Sequence, residues 1–411
     1  MRTPLLLVLL GACSGSAAAP DVVAARQLPA ALKDDAAAIA RGSNQFACDL
    51  YAQLAAGDGN QFFSPFSIST ALAMTDAGAA GTTDRELRTA LHLDLPGDRA
   101  HKAIGALLTS LDTGRGFGAY TLDTANGMFG QIGFPFRAEF TQTLTSDYAA
   151  ELTPVDFEHA PDAARATINT WVASHTDDKI PELFGPGTID ATARLALANA
   201  IVFKGTWALK FAPDTATAPF HLASGQTLQV PMMQKSDRLA VAGIPGGSLG
   251  ILPFSGNDLS MVLLVPDQPD GLPAIEAELT GDAITQWIAR AQELYAHAQA
   301  VPVLLPRFSL ETSTELPEAL AALGVISAFD PLAADFSGID GQRDLYLQSA
   351  LHKAVIKVDE NGAEASAATG VVAVPTSIPE SFAADRPFVF LIYDHVTRTI
   401  LFLGRVTDPT A

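Results

Sequence analysis

The sequence predicts one large α+β domain, and three observations carry that reading. Apolar residues recur at helical spacing through the first half, strand patterns crowd the last third, and no repeat or low-complexity linker follows residue 43. Elements segregated in this way pack as α+β rather than as alternating βα units. The chain of 411 residues is 48% hydrophobic and 17% charged, enough for a sizeable core and against global disorder. Its 25 basic residues against 45 acidic ones give a formal charge of -20, which argues against a nucleic-acid surface. Arg85, Arg88, Arg99 and Lys102 are interleaved with Asp84, Glu86, Asp94 and Asp98 and form no basic patch.

The N-terminus "MRTPLLLVLLGACSGSAAAP" has one basic residue, a short apolar run and then Cys13. Leu5 to Ala12 is too short for a bilayer, which needs about 20 apolar residues, and reads as a secretory signal. Two cleavage sites compete. Ala17-x-Ala19 is followed by Pro20, a poor partner for a signal peptidase, whereas "LGAC" resembles a bacterial lipoprotein box. The preferred reading is a signal peptide over 1–12, lipid on the Cys13 thiol, and a tether over 13–42 rich in Ala, Ser and Pro. It places the protein across the inner membrane, at the envelope or otherwise extracellular. Cys48 then has no disulfide partner and reads as a small half-buried residue.

Ser43 is the expected N-cap of the first helix of the folded domain, 43–411, with Phe46, Leu50 and Leu54 on one face. "SPFSISTALAMTDAGA" predicts a second helix ending near Gly78, and further helical patterns cover Thr83–His92, Phe136–Asp147, Ala163–His175 and Ile284–Ala298. Leu195–Phe203, "LALANAIVF", is apolar on both parities, as in a strand covered on both faces. "TLQVPMM", "LSMVLLV", "VPVLLPRFSL", "ALHKAVIKVDE", "RPFVFLIYD" and "TILFLGRV" are shorter strand candidates bounded by turn residues.

Enzyme signatures are largely missing: there is no Gly-x-Ser-x-Gly, no His-Glu-x-x-His and no phosphate-binding loop. "GRGFGA", Gly114 to Ala119, fits a loose glycine-rich pattern but follows no convincing strand, and reads as a flexible turn. The eight histidines have no metal-ligand spacing, and no cofactor is expected. Seven stretches, in order, point elsewhere: "NQFFSPFSISTALAM", "LANAIVFKGTW", "VPMM", "LSMVLLVPD", "ADFSGI", "ALHKAVIKVDENGAEASAATG" and "RPFVFLIYDHVTRTILFLGRV". Together they resemble the serpin family over residues 43–409. The resemblance implies three β-sheets surrounded by about nine helices, with an exposed reactive-centre loop. In that family a target serine protease attacks the loop, forms an acyl-enzyme, and is trapped when the cut loop inserts into the main sheet.

The residues bear on whether this chain can perform the insertion. A strand alternates faces with period two. Ala363, Ala365, Ala367, Thr369, Val371 and Ala373 share one parity; Glu364, Ser366, Ala368, Gly370, Val372 and Val374 share the other. With the first set inward, every buried side chain is small or apolar and the charge of Glu364 faces water. Ala363 replaces the Thr or Ser common at that family position, and Ser366 interrupts the alanines, but both are small. The resemblance places the hinge over Glu360, Gly362 and Ala363 to Thr369. Family spacing, about 16 residues from Glu360, puts the reactive bond at Thr376–Ser377. The resemblance also implies a polar group beneath the sheet where its strands part (Ser64, Ser67, Asn199, His352). An Arg307–Glu360 ion pair beside Trp207 is implied at the top. The expected partner is a serine protease, elastase-like first and subtilisin-like second, bound covalently by a monomer. The rival is a non-inhibitory serpin cleaved without trapping; a hydrolase is a distant third.

Overall fold

In the computed structural model, residues 26–116, 120–363 and 381–411 are described. Among them are three sheets, of six, six and four strands, with ten α-helices and two short 3-10 turns around them. The main sheet contains, in chain order, β1 (Tyr120–Gln131), β2 (Leu152–Val155), β3 (Leu195–Thr206), β4 (Phe308–Glu315), β5 (Leu351–Asp359) and β6 (Gly362–Ala363). Its spatial order is β4-β5-β6-β3-β1-β2, with β5 and β3 also paired directly. The second six-stranded sheet contains the most apolar runs: Leu259–Pro266, Phe388–Asp394 and Thr399–Val406 are buried at every position.

Burial along β3 follows the two-sided expectation. Leu197, Ile201 and Phe203 belong to the large core shared with the second sheet. Ala198, Ala200 and Val202 belong to a smaller core with Ile168 and Val172 of the helix Pro161–His175. Two separate cores use both faces of one strand, which is why its sequence does not alternate.

The expected tether is too long. Helix α1 runs from Lys33 to Leu54, so Ser43 lies inside a helix instead of capping one. The Ala-rich run has the highest helix propensity of any composition, and Asp34 and Asp35 occupy its first turn, where carboxylates oppose the helix dipole favourably. Ala36, Ile39 and Ala40 are buried, so low complexity here is an amphipathic helix packed on the body. Gly42 is required by contact: a Cβ there would lie 2.5 Å from the His92 carbonyl oxygen.

"VPVLLPRFSL" is likewise two strands in two sheets. Ala300–Pro306 pairs with Thr227–Arg238, and β4 starts at Phe308 beside β5. Pro306 and Arg307 make the crossing, since proline cannot donate to a ladder. Gly114–Gly116 of the glycine-rich stretch end the helix Gly97–Gly116 rather than forming a turn, and 117–119 lie outside the described residues. That helix and β1 have no clear counterpart in the sequence pattern; β1 carries "NGMFG", whose glycines break the strand signal.

Candidate functional site

The site is a seam in the main sheet. β5 and β3 pair in parallel from His352–Asn199 to Val355–Val202. Above that they separate, and the two residues of β6 fill the space, antiparallel to both: Ala363 is opposite Val358 on one side and Gly205 on the other. Gly362 has φ 155°, and a Cβ on it would lie 1.8 Å from the Gly205 carbonyl oxygen, so only glycine lets the chain turn into the seam. Ala363 is fully buried in the large core, with Val358. Thus the chain leaving β5 turns back through Glu360 and Asn361 and places the Ala363 side chain inward between the two strands. The hinge residues Glu364, Ala365, Ser366, Ala367, Ala368 and Thr369, and the bond Thr376–Ser377, lie outside the described residues, as does Cys13.

Beneath the lower end of the seam sits a buried polar group. Asn126, Asn199, His352 and Thr314 are register partners across four adjacent strands. The Ser64 backbone N–H donates to His352 Nε2 at 3.0 Å, so the neutral ring carries its proton on Nδ1 and donates it to Asn199 Oδ1 at 2.5 Å. Asn199 Nδ2 reaches the Ser67 carbonyl and hydroxyl and Asn126 Oδ1, each at 2.8 Å. Ser67 Oγ donates to Asn126 Oδ1 at 2.9 Å. Ser64 is the N-cap of helix α2, Pro65–Asp76, accepting from the Ser67 N–H at 3.1 Å while its hydroxyl donates to the Leu401 carbonyl at 2.6 Å. His352 is completely buried, and burial lowers its pKa to about 3. The ring is therefore neutral at physiological pH, and its two hydrogen bonds cross from β5 to β3 and to α2. All four residues expected to meet here do so. Asn126 was not foreseen, because its strand was not; a polar residue amid β-strand glycines was the only signal.

At the upper end Arg307 Nε and Nη2 both donate to Glu360 Oε1, at 2.7 and 2.5 Å. Arg307 is about half exposed, so the pair contributes ~1 kcal/mol or less to stability; its effect is to hold the turn that precedes β6. Trp207 is fully buried and stacks on Phe254 at 4.7 Å. Its ring N–H donates to the Asp359 carbonyl at 2.9 Å, and its backbone N–H donates to the Asn361 carbonyl at 2.8 Å. Lys235, unforeseen, lies 4.9 Å from the Phe211 ring beside Trp207 and pairs with Asp237 at 3.0 Å. Burial lowers its pKa, partly opposed by that carboxylate. The turn at Glu360 and Asn361 is thus held by Arg307 and by Trp207, and the two small residues that follow it, Gly362 and Ala363, are wedged between strands.

β3 and β5 part around the two residues of β6, and comparison with known proteins settles the lineage. A model of the family described as Serpin (serine protease inhibitor) matches residues 41–409. The chain belongs to the serpin family. The leukocyte elastase inhibitor of Bos taurus is 41% identical to this serpin over 382 residues, which span 90% of this chain and 99% of the bovine protein. The human leukocyte elastase inhibitor is 38% identical over the same number of residues. Among solved structures, uncleaved ovalbumin superposes with a TM-score of 0.79 at 29% identity, covering 90% of this chain and all of ovalbumin. Serpin48 of Tenebrio molitor superposes at 0.76 and 31%, covering 90% of this chain and 98% of its own.

Proposed function

We propose that this serpin inhibits serine proteases of elastase-like specificity as a suicide substrate. The observation that carries the reading is the inward placement of Ala363 between β5 and β3. From that start, strand alternation sends Ala365, Ala367, Thr369, Val371 and Ala373 to the same side. The protease's serine hydroxyl attacks the Thr376 carbonyl; the Thr376–Ser377 bond breaks, the proton passes to the departing Ser377 amine, and an ester joins the protease to Thr376. The freed chain continues β6 down the seam. Each inserted residue gains hydrogen bonds at about 0.5–1.5 kcal/mol net, so some thirteen residues supply on the order of 10 kcal/mol. Over about 3.3 Å per residue the ester is carried roughly 43 Å. A displacement of ~1 Å already costs ~100-fold in rate, so water does not resolve the ester.

Thr376 is small and uncharged, which suits a small apolar specificity pocket and offers no cation to an acidic one. Similarity to leukocyte elastase inhibitors supports the same choice. Val372 and Val374 add extended apolar contacts that a subtilisin-like protease can use. The test is incubation with elastase-, trypsin- and subtilisin-like enzymes. The reading expects a complex that survives denaturing electrophoresis with the first and a released C-terminal fragment beginning at Ser377. Cleavage with full recovery of protease activity would instead indicate a non-inhibitory serpin.

A further inference from the structure

Residues 26–32 precede the family match, which starts at residue 41, and yet Arg26 is among the most completely buried cations of the described chain. Its Nη1 and Nη2 grip Asp394 Oδ1 and Oδ2 at 3.0 and 2.8 Å, and its Nε donates to the Ser110 carbonyl at 2.7 Å. Nη2 also lies 3.4 Å from Ser110 Oγ, and Nη1 lies 3.8 Å from Asp258. Asp394 is fixed independently, accepting from the Thr397 hydroxyl at 2.5 Å and the Val396 N–H at 3.0 Å. Such a bidentate, desolvated pair is a rigid link, and removing one partner leaves a costly buried charge.

The two ends of that link belong to different parts of the machine. Asp394 closes the strand Phe388–Asp394 in the centre of the second sheet. Ser110 is on the helix Gly97–Gly116, and the hydroxyl of Tyr120, the first residue of β1, donates to the Leu111 carbonyl at 2.9 Å. β1 pairs with β3 along its length, from Tyr120–Gly205 to Gly130–Leu195. Parting β3 from β5 therefore displaces β1 with β3, and the Tyr120–Leu111 bond couples that displacement to the helix segment that Arg26 holds against Asp394. We infer that Arg26 is a positioning residue that restrains sheet opening, through a staple between the helix end and the second sheet made by the N-terminal extension. The inference rests on the insertion mechanism proposed above.

Hydrogen exchange and functional ageing of the full chain test it. In Arg26→Ala, amides of β1 and β3 should exchange at least about tenfold faster while those of Gly247–Pro253 and Leu259–Pro266 keep wild-type rates. Inhibitory activity should also decay at least about tenfold faster on storage, as the uncut loop inserts. Arg26→Met/Asp394→Asn removes both charges together, so no carboxylate is stranded, and should show the same local acceleration. Equal acceleration in both sheets, no acceleration in Arg26→Ala, or wild-type exchange in the double variant would each overturn the staple. If the wild type traps no protease, the inhibitor reading falls, while the exchange data still decide whether Arg26 restrains the sheet.

Discussion

At the scale of single residues, two buried titratable groups act with opposite sign on stability. His352 has its pKa depressed by burial to about 3, below its unfolded value of about 6.5. Its contribution is fully present above that unfolded value and is lost as pH falls toward the folded one. Asp76, at the end of α2, has its pKa raised to about 7, first by burial and only partly countered by Arg88 at 3.2 Å. One of its oxygens, Oδ1, has no hydrogen-bond partner. Its contribution is fully present below the unfolded pKa of about 3.9 and is lost as pH rises through 7. Asn copies the protonated acid without the titration. Asp76→Asn should therefore gain on the wild type by ~3 kcal/mol between pH 5 and pH 8, read from urea unfolding midpoints at each pH. A pH-independent difference would mean that Arg88 keeps the carboxylate ionised throughout. Neither pKa shift is legible in the sequence, although the family resemblance singled out His352, and Asp76 lies two residues before Gly78; both derive their behaviour from what is packed around them.

At the scale of the element, Gly362 and Ala363 set how the chain enters the seam. Gly362→Ala would press a Cβ into the Gly205 carbonyl and strain a φ of 155°. The variant should unfold about 1–3 kcal/mol more easily, measured by chemical denaturation, and should exchange faster in β6 first. The parity starting at Ala363 gives a sharper comparison. Thr369→Arg would put a guanidinium under the sheet during insertion. The penalty is several kcal/mol, or a tenfold slower step per ~1.4 kcal/mol. That variant should be cut as fast as wild type and release active protease. Ser366→Arg, of opposite parity, should still trap it. Inhibition by both would exclude insertion as the trap, and failure of Ser366→Arg alone would invert the parity. The start of α1 is legible only in three dimensions: an Ala-rich run looks like a linker by composition, and only burial of Ala36, Ile39 and Ala40 reveals its packed face.

At the scale of the whole molecule, Cys13 and the staple at Arg26 bracket a short N-terminal segment. The proposed lipid on Cys13 would hold the protein at a membrane; the wild type should then partition into detergent and Cys13→Ser should not. Equal partitioning of the two proteins would refute the anchor. A single acyl chain binds only marginally, so firm partitioning also requires more than one chain. By itself the sequence determined the family, the order of most strands and helices, and the two small residues, Gly362 and Ala363, that enter the seam. These rest on local periodicity and on motifs that are contiguous in the chain. Only the tertiary structure decided that Asn126 joins Asn199 and His352 in one row, that "VPVLLPRFSL" divides between two sheets, and that Arg26 reaches Asp394 368 residues away. Each of these depends on register or on contact between distant segments. Periodicity along the chain carries no information about which strands lie side by side, because strand pairing is set by the shared cores that many segments bury together.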